Sequence, residues 1–167
     1  MSAWSPNGHR IKAPLEYGRG PEKVWVYGAL RIRHGQALTL TSTSRNTAGY
    51  IELLAALEQA NPEGQLNIIT DNLSSHKSQG TCLWLAEHPR IIQTFIPKGA
   101  CWLNLQEAWW RLFRRNALAG QDFVDAKEIN YATKLTTQQL NNRAKPWVWG
   151  RPPPSPRYRK HVFVYRL

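Results

Sequence analysis

Leu66-Asn67-Ile68-Ile69-Thr70-Asp71-Asn72 is a short apolar run that ends on a carboxylate. Its length and its isoleucines predict a buried strand over Leu66–Thr70. Asp71 then follows the C-terminal end of that strand, which is where open α/β sheets place their binding sites. Two interpretations are open at this point: Asp71 is a functional carboxylate, or it caps the next helix, as aspartate often does.

Alternating strand and helix patterns lie on both sides of this run. A hairpin comes first and αβ units follow, an order that predicts an α/β fold with a mixed sheet flanked by helices. Before the run we predict strands over residues 24–30 and 36–43, joined at the His34-Gly35 turn, and a helix from a cap at Asn46 or Thr47 to about Ala60. After it we predict a helix over 78–87, a strand over 91–96, and helices over 103–118 and 125–144.

The chain carries a strong positive charge. It has 22 Lys and Arg against 11 Asp and Glu, a formal net charge of +11, which favours a polyanionic partner such as nucleic acid over a basic protein without one. Residues 143–167 contain seven Lys or Arg and no acid, with three consecutive prolines from Pro152. We therefore predict a folded domain over 1–144 and a basic, proline-rich tail over 145–167, anchored by Trp147 and Trp149.

Other compositional features exclude several classes of protein. Cys82 and Cys101 have neither zinc-ligand nor disulfide-framework spacing. No apolar run approaches the ~20 residues of a membrane helix, and the first residues lack the apolar core of a signal peptide. The sequence predicts a cytoplasmic protein with no membrane partner.

Glu107 is a second candidate carboxylate. On a helix it shares a stripe with Arg111 and Arg114, at spacings of four and seven residues. This stripe is either a surface ion pair, worth under ~1 kcal/mol, or a metal ligand flanked by arginines that contact phosphate. Asp71 and Glu107 together are more informative, because two carboxylates on neighbouring elements can share a hard cation such as magnesium.

Two segments carry a family resemblance. Residues 69–76 resemble the strand-DN-x-x-x-H motif of mariner-like and bacterial insertion-sequence DDE transposases. Residues 95–97, followed by 102–110, resemble the P…LN-x-x-E-x-x-W motif of the same family. Thirty-five residues separate Asp71 from Glu107, which is within the narrow spacing of that family. The resemblance runs over about residues 17–118, with weaker likeness beyond.

The resemblance implies a ribonuclease H-like fold with strand order 3-2-1-4-5. It also implies an Asp, Asp, Glu triad that binds two Mg²⁺ or Mn²⁺ ions, cuts DNA and transfers the strands at transposon ends. Asp71 matches the second acid and Glu107 the third. Asn72, His76 and Asn104 match positions that line the site. We expect Arg111, Arg114 and Arg115 to contact DNA phosphates.

The sequence departs from the family at the first acid. That aspartate lies on strand 1, the central strand of the sheet, and the only acids before Val24, Glu16 and Glu22, do not follow an apolar strand. We therefore expect an N-terminally truncated catalytic fragment that lacks this central strand and is inactive alone. Its expected partners are DNA, at the bacterial nucleoid, and either a second copy or the missing N-terminal part of the transposase.

Two other functions remain open. One is a non-catalytic DNA-binding or interaction fragment, for which the charge and the basic tail argue. The other is a structural, ribosome-associated protein, which would need neither the Asp71–Glu107 spacing nor eight tryptophans.

Overall fold

The computed structural model describes residues 23–100 and 103–148. The predicted order of elements is confirmed, and each boundary lies within two residues of its predicted position. A short 3-10 helix at Ser74–Lys77 had not been predicted. The other elements are β1 (Trp25–Arg31), β2 (Gln36–Ser42), α1 (Thr47–Ala60), β3 (Leu66–Thr70), α2 (Gln79–Glu87), β4 (Ile91–Phe95), α3 (Leu105–Ala117) and α4 (Ala126–Asn142).

The predicted hairpin is confirmed. β1 and β2 are antiparallel, with Trp25 opposite Ser42 and Arg31 opposite Gln36. Gly35 closes the turn with φ +74, a left-handed conformation that disfavours any residue with a Cβ atom. A Cβ atom there would also collide with the backbone of Lys145, so the turn packs closely against the segment that follows α4.

β3 and β4 form a separate parallel pair, with Leu66 opposite Ile91 and Thr70 opposite Phe95. On one face of this pair, Ile68 packs against the buried Tyr50, Leu53 and Leu54 of α1, in a cluster that Trp84 and Leu85 of α2 also join. The other face leaves Ile69 and Ile92 about half exposed, at 45% and 44%.

The predicted mixed sheet is therefore present as two halves. Among the described residues, β1 pairs only with β2 and β3 only with β4, and no strand lies between β1 and β3. Residues of β1 and β3 instead line a common cleft of about 520 Å³. The α/β class with helices beside the strands is confirmed, and in the described part of the chain nothing bridges the two pairs.

The hairpin is packed between two apolar clusters. On one side, Trp109 and Phe113 of α3 are almost fully buried with Ala37 and Leu140, and Val26 and Leu30 pack against them. On the other side, α1 buries Tyr50, Leu53 and Leu54 against side chains that include Tyr27 and Ala29. β1 is consequently covered on both faces, which is unusual for a hairpin strand.

The outer edge of β2 is covered by α4. Thr133, Thr136, Thr137 and Leu140 are the buried residues of this helix, so its inward stripe is centred on threonines, and Ile129 and Ala132 are only partly buried. The Thr137 and Thr39 hydroxyls lie 2.9 Å apart.

The segment after α4 is held by Trp147. Its backbone N–H donates to the carbonyl of Ile32 at 2.9 Å, and its ring packs on the α3 cluster. The expected anchoring role is thus observed for Trp147, whereas Trp149, most of the basic tail and residues 1–22 lie outside the described residues. No helix in the described ranges is long and apolar enough to cross a membrane.

Candidate active site

Asp71 follows the C-terminal end of β3, as predicted. Its Oδ1 lies 2.9 Å from Nδ1 of His76 and accepts a long hydrogen bond of 3.3 Å from the backbone N–H of Leu73. The alternative that Asp71 caps the next α-helix is wrong, because the Ser78 side chain caps α2 by accepting from the backbone N–H of Thr81. Asp71 is therefore free of a helix-capping role.

His76, which lies on the 3-10 helix, is fixed by residues of β3, α1 and β4. Nδ1 also lies 2.8 Å from Oγ1 of Thr70, and the ring packs on Tyr50 with the centroids 4.0 Å apart. The Gln93 amide donates both to the Tyr50 hydroxyl at 3.0 Å and to the His76 carbonyl at 3.1 Å. This network holds the imidazole against Asp71.

Tyr50 was predicted only as part of the buried face of α1, yet it lies directly beneath this network. Burial raises the pKa of Tyr50 to about 12, and the negative charge of Asp71 acts in the same direction, while a hydrogen bond with Thr70 opposes them. The phenol consequently stays protonated at physiological pH. Its helical spacing signalled burial, and only the fold showed that it supports His76.

Asn72 joins the ends of the two parallel strands. Its Nδ2 donates to the carbonyl of Ile96 at 2.7 Å, while the Ile96 N–H donates to the carbonyl of Thr70 at 2.8 Å. The loop that carries Asp71 is thereby tied to the end of β4. This is a positioning role for Asn72.

Glu107 lies in the first turn of α3. Asn104 caps that helix, its Oδ1 accepting from the N–H of Gln106 at 3.2 Å, and the Glu107 N–H donates to the Asn104 carbonyl at 3.1 Å. A carboxylate at a helix N-terminus is favoured by the helix dipole. The predicted ion pair of Glu107 with Arg111 or Arg114 is not formed among the described residues.

Asp71 and Glu107 converge on one cavity. This cavity of about 360 Å³ is also lined by Asn72 and Asn104, and by the loop that follows β4, which includes Lys98. His76 lines the adjoining 520 Å³ cleft, which Asp71 and Glu107 also border. The fold thus gathers the five predicted site residues around one end of β3.

Carboxylate and amide oxygens are the hard donors that magnesium and manganese prefer, so the lining of the cavity fits such an ion. The fit is partial. Within residues 23–100 and 103–148, no group of three or more His, Cys, Asp or Glu side chains is arranged to hold a metal. The described part of the chain supplies two carboxylates to this cavity.

The three predicted DNA-contacting arginines are exposed on α3. Arg114 also borders the larger cleft, together with Glu107. None of the salt bridges found in the described ranges involves Arg111, Arg114 or Arg115. Their guanidinium groups therefore remain accessible to an external anion.

Comparison with known proteins agrees with the motifs. The model of the family described as DDE superfamily endonuclease matches residues 1–130. The "Insertion element IS630 uncharacterized 39 kDa protein" of Shigella sonnei is 31% identical over 91 residues, which are 54% of this chain and 26% of that protein. The aligned stretch thus spans about a quarter of that relative, whereas the family model covers well over half of the present chain. The chain accordingly belongs to the DDE superfamily of endonucleases.

Proposed function

We propose that this chain is the catalytic part of a transposase with a ribonuclease H-like fold, in which Asp71 is the second acid and Glu107 the third. The reaction is cleavage of DNA strands and their transfer at transposon ends. The observation that carries the proposal is the shared cavity: two carboxylates with 35 residues between them in sequence line one cavity, where a strand ends and a helix begins.

Asp71 and Glu107 would hold Mg²⁺ or Mn²⁺. A pair of such ions activates water on one side of a phosphodiester and stabilises the leaving oxygen on the other. Other residues of the chain hold these two carboxylates in place. His76 orients the Asp71 carboxylate, Asn104 fixes the first turn of α3 and therefore Glu107, and Asn72 ties the Asp71 loop to β4.

The chain by itself does not complete this site in our proposal. The family triad needs a further aspartate, and the described residues bring only two carboxylates to the cavity. We therefore expect weak metal binding by the purified chain, and no DNA cleavage.

Metal binding tests the assignment of the two acids. Titration with Mn²⁺, followed by the loss of its free-ion paramagnetic resonance signal, should show a site that Asp71→Asn and Glu107→Gln each weaken by about tenfold or more. Asp122→Asn and Glu63→Gln are matched controls, because both residues are exposed and neither lines the cavity. Equal affinity in the wild type and both site variants would remove the basis of the proposal.

A second candidate function is DNA binding without catalysis. The three exposed arginines of α3 and the net charge of +11 favour it. Incubation of the full chain with labelled DNA and Mg²⁺ or Mn²⁺ separates the possibilities. Binding without cleavage fits both the incomplete site and the non-catalytic function, and the Mn²⁺ titration then decides between them. Cleavage that Asp71→Ala abolishes would mean that another acid completes the site.

A further inference from the structure

The cleft between the two halves of the sheet lies where one further β-strand would fit. In the described ranges, β1 is hydrogen-bonded to β2 alone and β3 to β4 alone, and residues of both β1 and β3 line the same 520 Å³ cleft. Backbone N–H and C=O groups that are shielded from water without partners cost about 1–3 kcal/mol each. One further strand between β1 and β3 would satisfy both edges.

The side chains that line this cleft determine which kind of sequence can fit in it. Tyr50, Leu53 and Leu54 of α1 line one side, and Trp110 and Phe113 of α3 line the other. A strand inserted between these helices is covered on both faces. Such a strand must be apolar at successive positions, rather than at alternating ones.

The side-chain amide of Gln106 independently indicates that a polar group binds in the cleft. Both Nε2 and Oε1 of its side chain are shielded from solvent and lack a hydrogen-bond partner among the described residues. This amide lines the cleft close to Gly28 of β1. A peptide backbone passing alongside β1 offers the acceptor and the donor that the Gln106 amide needs.

The chain contains one segment of suitable chemistry outside the described residues. Residues 161–167 read His161-Val162-Phe163-Val164-Tyr165-Arg166-Leu167, with four successive β-branched or aromatic residues. Residues 1–22 contain Ile11 as their single β-branched residue, and residues 149–160 contain none. We propose that residues 161–167 occupy the cleft of the same chain as a β-strand between β1 and β3.

The segment is long enough and starts from the right place. It has seven residues, as many as β1. The preceding chain is fixed next to the cleft, because Trp147 is hydrogen-bonded to Ile32, which itself lines the cleft. The twelve residues 149–160 can extend over roughly 40 Å, about twice the length of a typical strand.

This strand completes the sheet without completing the metal site. Residues 161–167 contain no Asp or Glu, so the segment brings no third side-chain carboxylate to Asp71 and Glu107. The inference rests on the cleft and on Gln106, and it stands whether or not the proposed catalytic function is correct.

Photo-crosslinking of the full chain tests the docking directly. Benzoylphenylalanine in place of Phe163 should crosslink to the tryptic peptides 24–31, 46–77 or 99–111, which carry the cleft residues of β1, of α1 and β3, and of α3. The same probe in place of Tyr158, outside the segment, is the matched control and should not label peptide 24–31. Crosslinks from position 163 only to other peptides would overturn the proposal.

Isotope mixing identifies which chain supplies the strand. In an equal mixture of ¹⁴N and ¹⁵N protein, crosslinked peptides should be wholly light or wholly heavy. Mixed pairs would mean that a second copy supplies the strand, which contradicts docking within one chain.

Hydrogen exchange provides a second measurement. Deletion of residues 161–167 should speed exchange of the β1 and β3 amides by about tenfold or more, with α2 changing little. A synthetic peptide of residues 160–167 should restore the protection, whereas one carrying Val162→Asp and Val164→Asp should not. Unchanged exchange after the deletion, or rescue by both peptides alike, would contradict the proposal.

Discussion

Oδ1 of Asp71 lies 2.9 Å from Nδ1 of His76, and the imidazole is itself held between the Thr70 hydroxyl and the Tyr50 ring. The contact engages one carboxylate oxygen. No hydrogen bond within the described ranges engages Oδ2. His76 therefore orients the carboxylate while leaving one oxygen for a ligand in the cavity.

Replacing His76 by alanine should weaken Mn²⁺ binding by about 10–100-fold, which is the usual effect of removing a group that orients a metal ligand. His34→Ala is the control, since His34 is exposed in the β1–β2 turn. Titration of the two variants alongside the wild type provides the measurement. Equal Mn²⁺ affinities in all three proteins would mean that His76 serves only the packing of the loop.

Changing Arg111, Arg114 and Arg115 to glutamine should weaken DNA binding and flatten its salt dependence. Each lost phosphate contact reduces the slope of log affinity against log salt by about 0.9, so three contacts reduce it by about 3. The triple variant Arg33→Gln, Lys127→Gln, Lys134→Gln loses the same charge at other exposed positions. Anisotropy titrations at several salt concentrations should separate the two variants. Equal slopes would indicate that net charge alone drives binding.

Tyr50 should make the protein sensitive to alkali. The folded state raises the pKa of Tyr50 from 10.0 to about 12. The protonated phenol therefore contributes fully to the free energy of unfolding below pH 10, and this contribution is lost as the pH rises from about 10 to 12. The loss is about 2–3 kcal/mol at most. Urea unfolding of the wild type and Tyr50→Phe across this range isolates the effect, since other groups titrate in both proteins. Parallel stability curves for the two would refute it.

The Asn141 side chain substitutes for a neighbouring strand at the edge of β2. Its Nδ2 donates to the Ala37 carbonyl at 2.8 Å, and its Oδ1 accepts from the Ala37 N–H at 2.7 Å. Asn141→Ala leaves both groups unpaired and should lower the free energy of unfolding by about 1–3 kcal/mol. Asn142→Ala, at the exposed adjacent position, should change it by less than about 0.5 kcal/mol. Similar urea midpoints for both variants would contradict this role.

Gly28 allows β1 to approach α3. A Cβ atom at this position would lie 2.7 Å from the ring of Trp110, so Gly28→Ala should destabilise the fold by about 1–3 kcal/mol. Gly80→Ala is the control, because its added methyl would meet only the Thr47 side chain, at 3.3 Å. In a double-mutant cycle, Trp110→Leu should remove most of the cost of Gly28→Ala. Additive effects in thermal unfolding would place the strain elsewhere.

Local patterns in the sequence were sufficient to predict the secondary-structure elements. The short apolar run Leu66–Thr70 and the period-3.6 arrangement in Leu105–Ala117 predicted a strand and a helix within two residues of their observed bounds. For α4 the sequence predicted a stripe of Ile129, Ala132, Thr136 and Leu140, of which Thr136 and Leu140 are buried. The burial of Thr133 and Thr137 was not predicted. The Thr137 hydroxyl lies against Thr39 of β2, and a helix pattern carries no information about such a partner.

The sequence alone determined the type, order and spacing of the elements, and with them the two acids Asp71 and Glu107, because these depend on residues that are near one another along the chain. Only the tertiary structure decided that both acids border one cavity and that Asp71 is held by His76, whose ring rests on Tyr50. It alone also showed that the described part of the sheet is divided in two, with Gln106 unpartnered beside β1. Those features depend on contacts between distant segments, which form only when apolar faces pack and backbone groups pair across the fold.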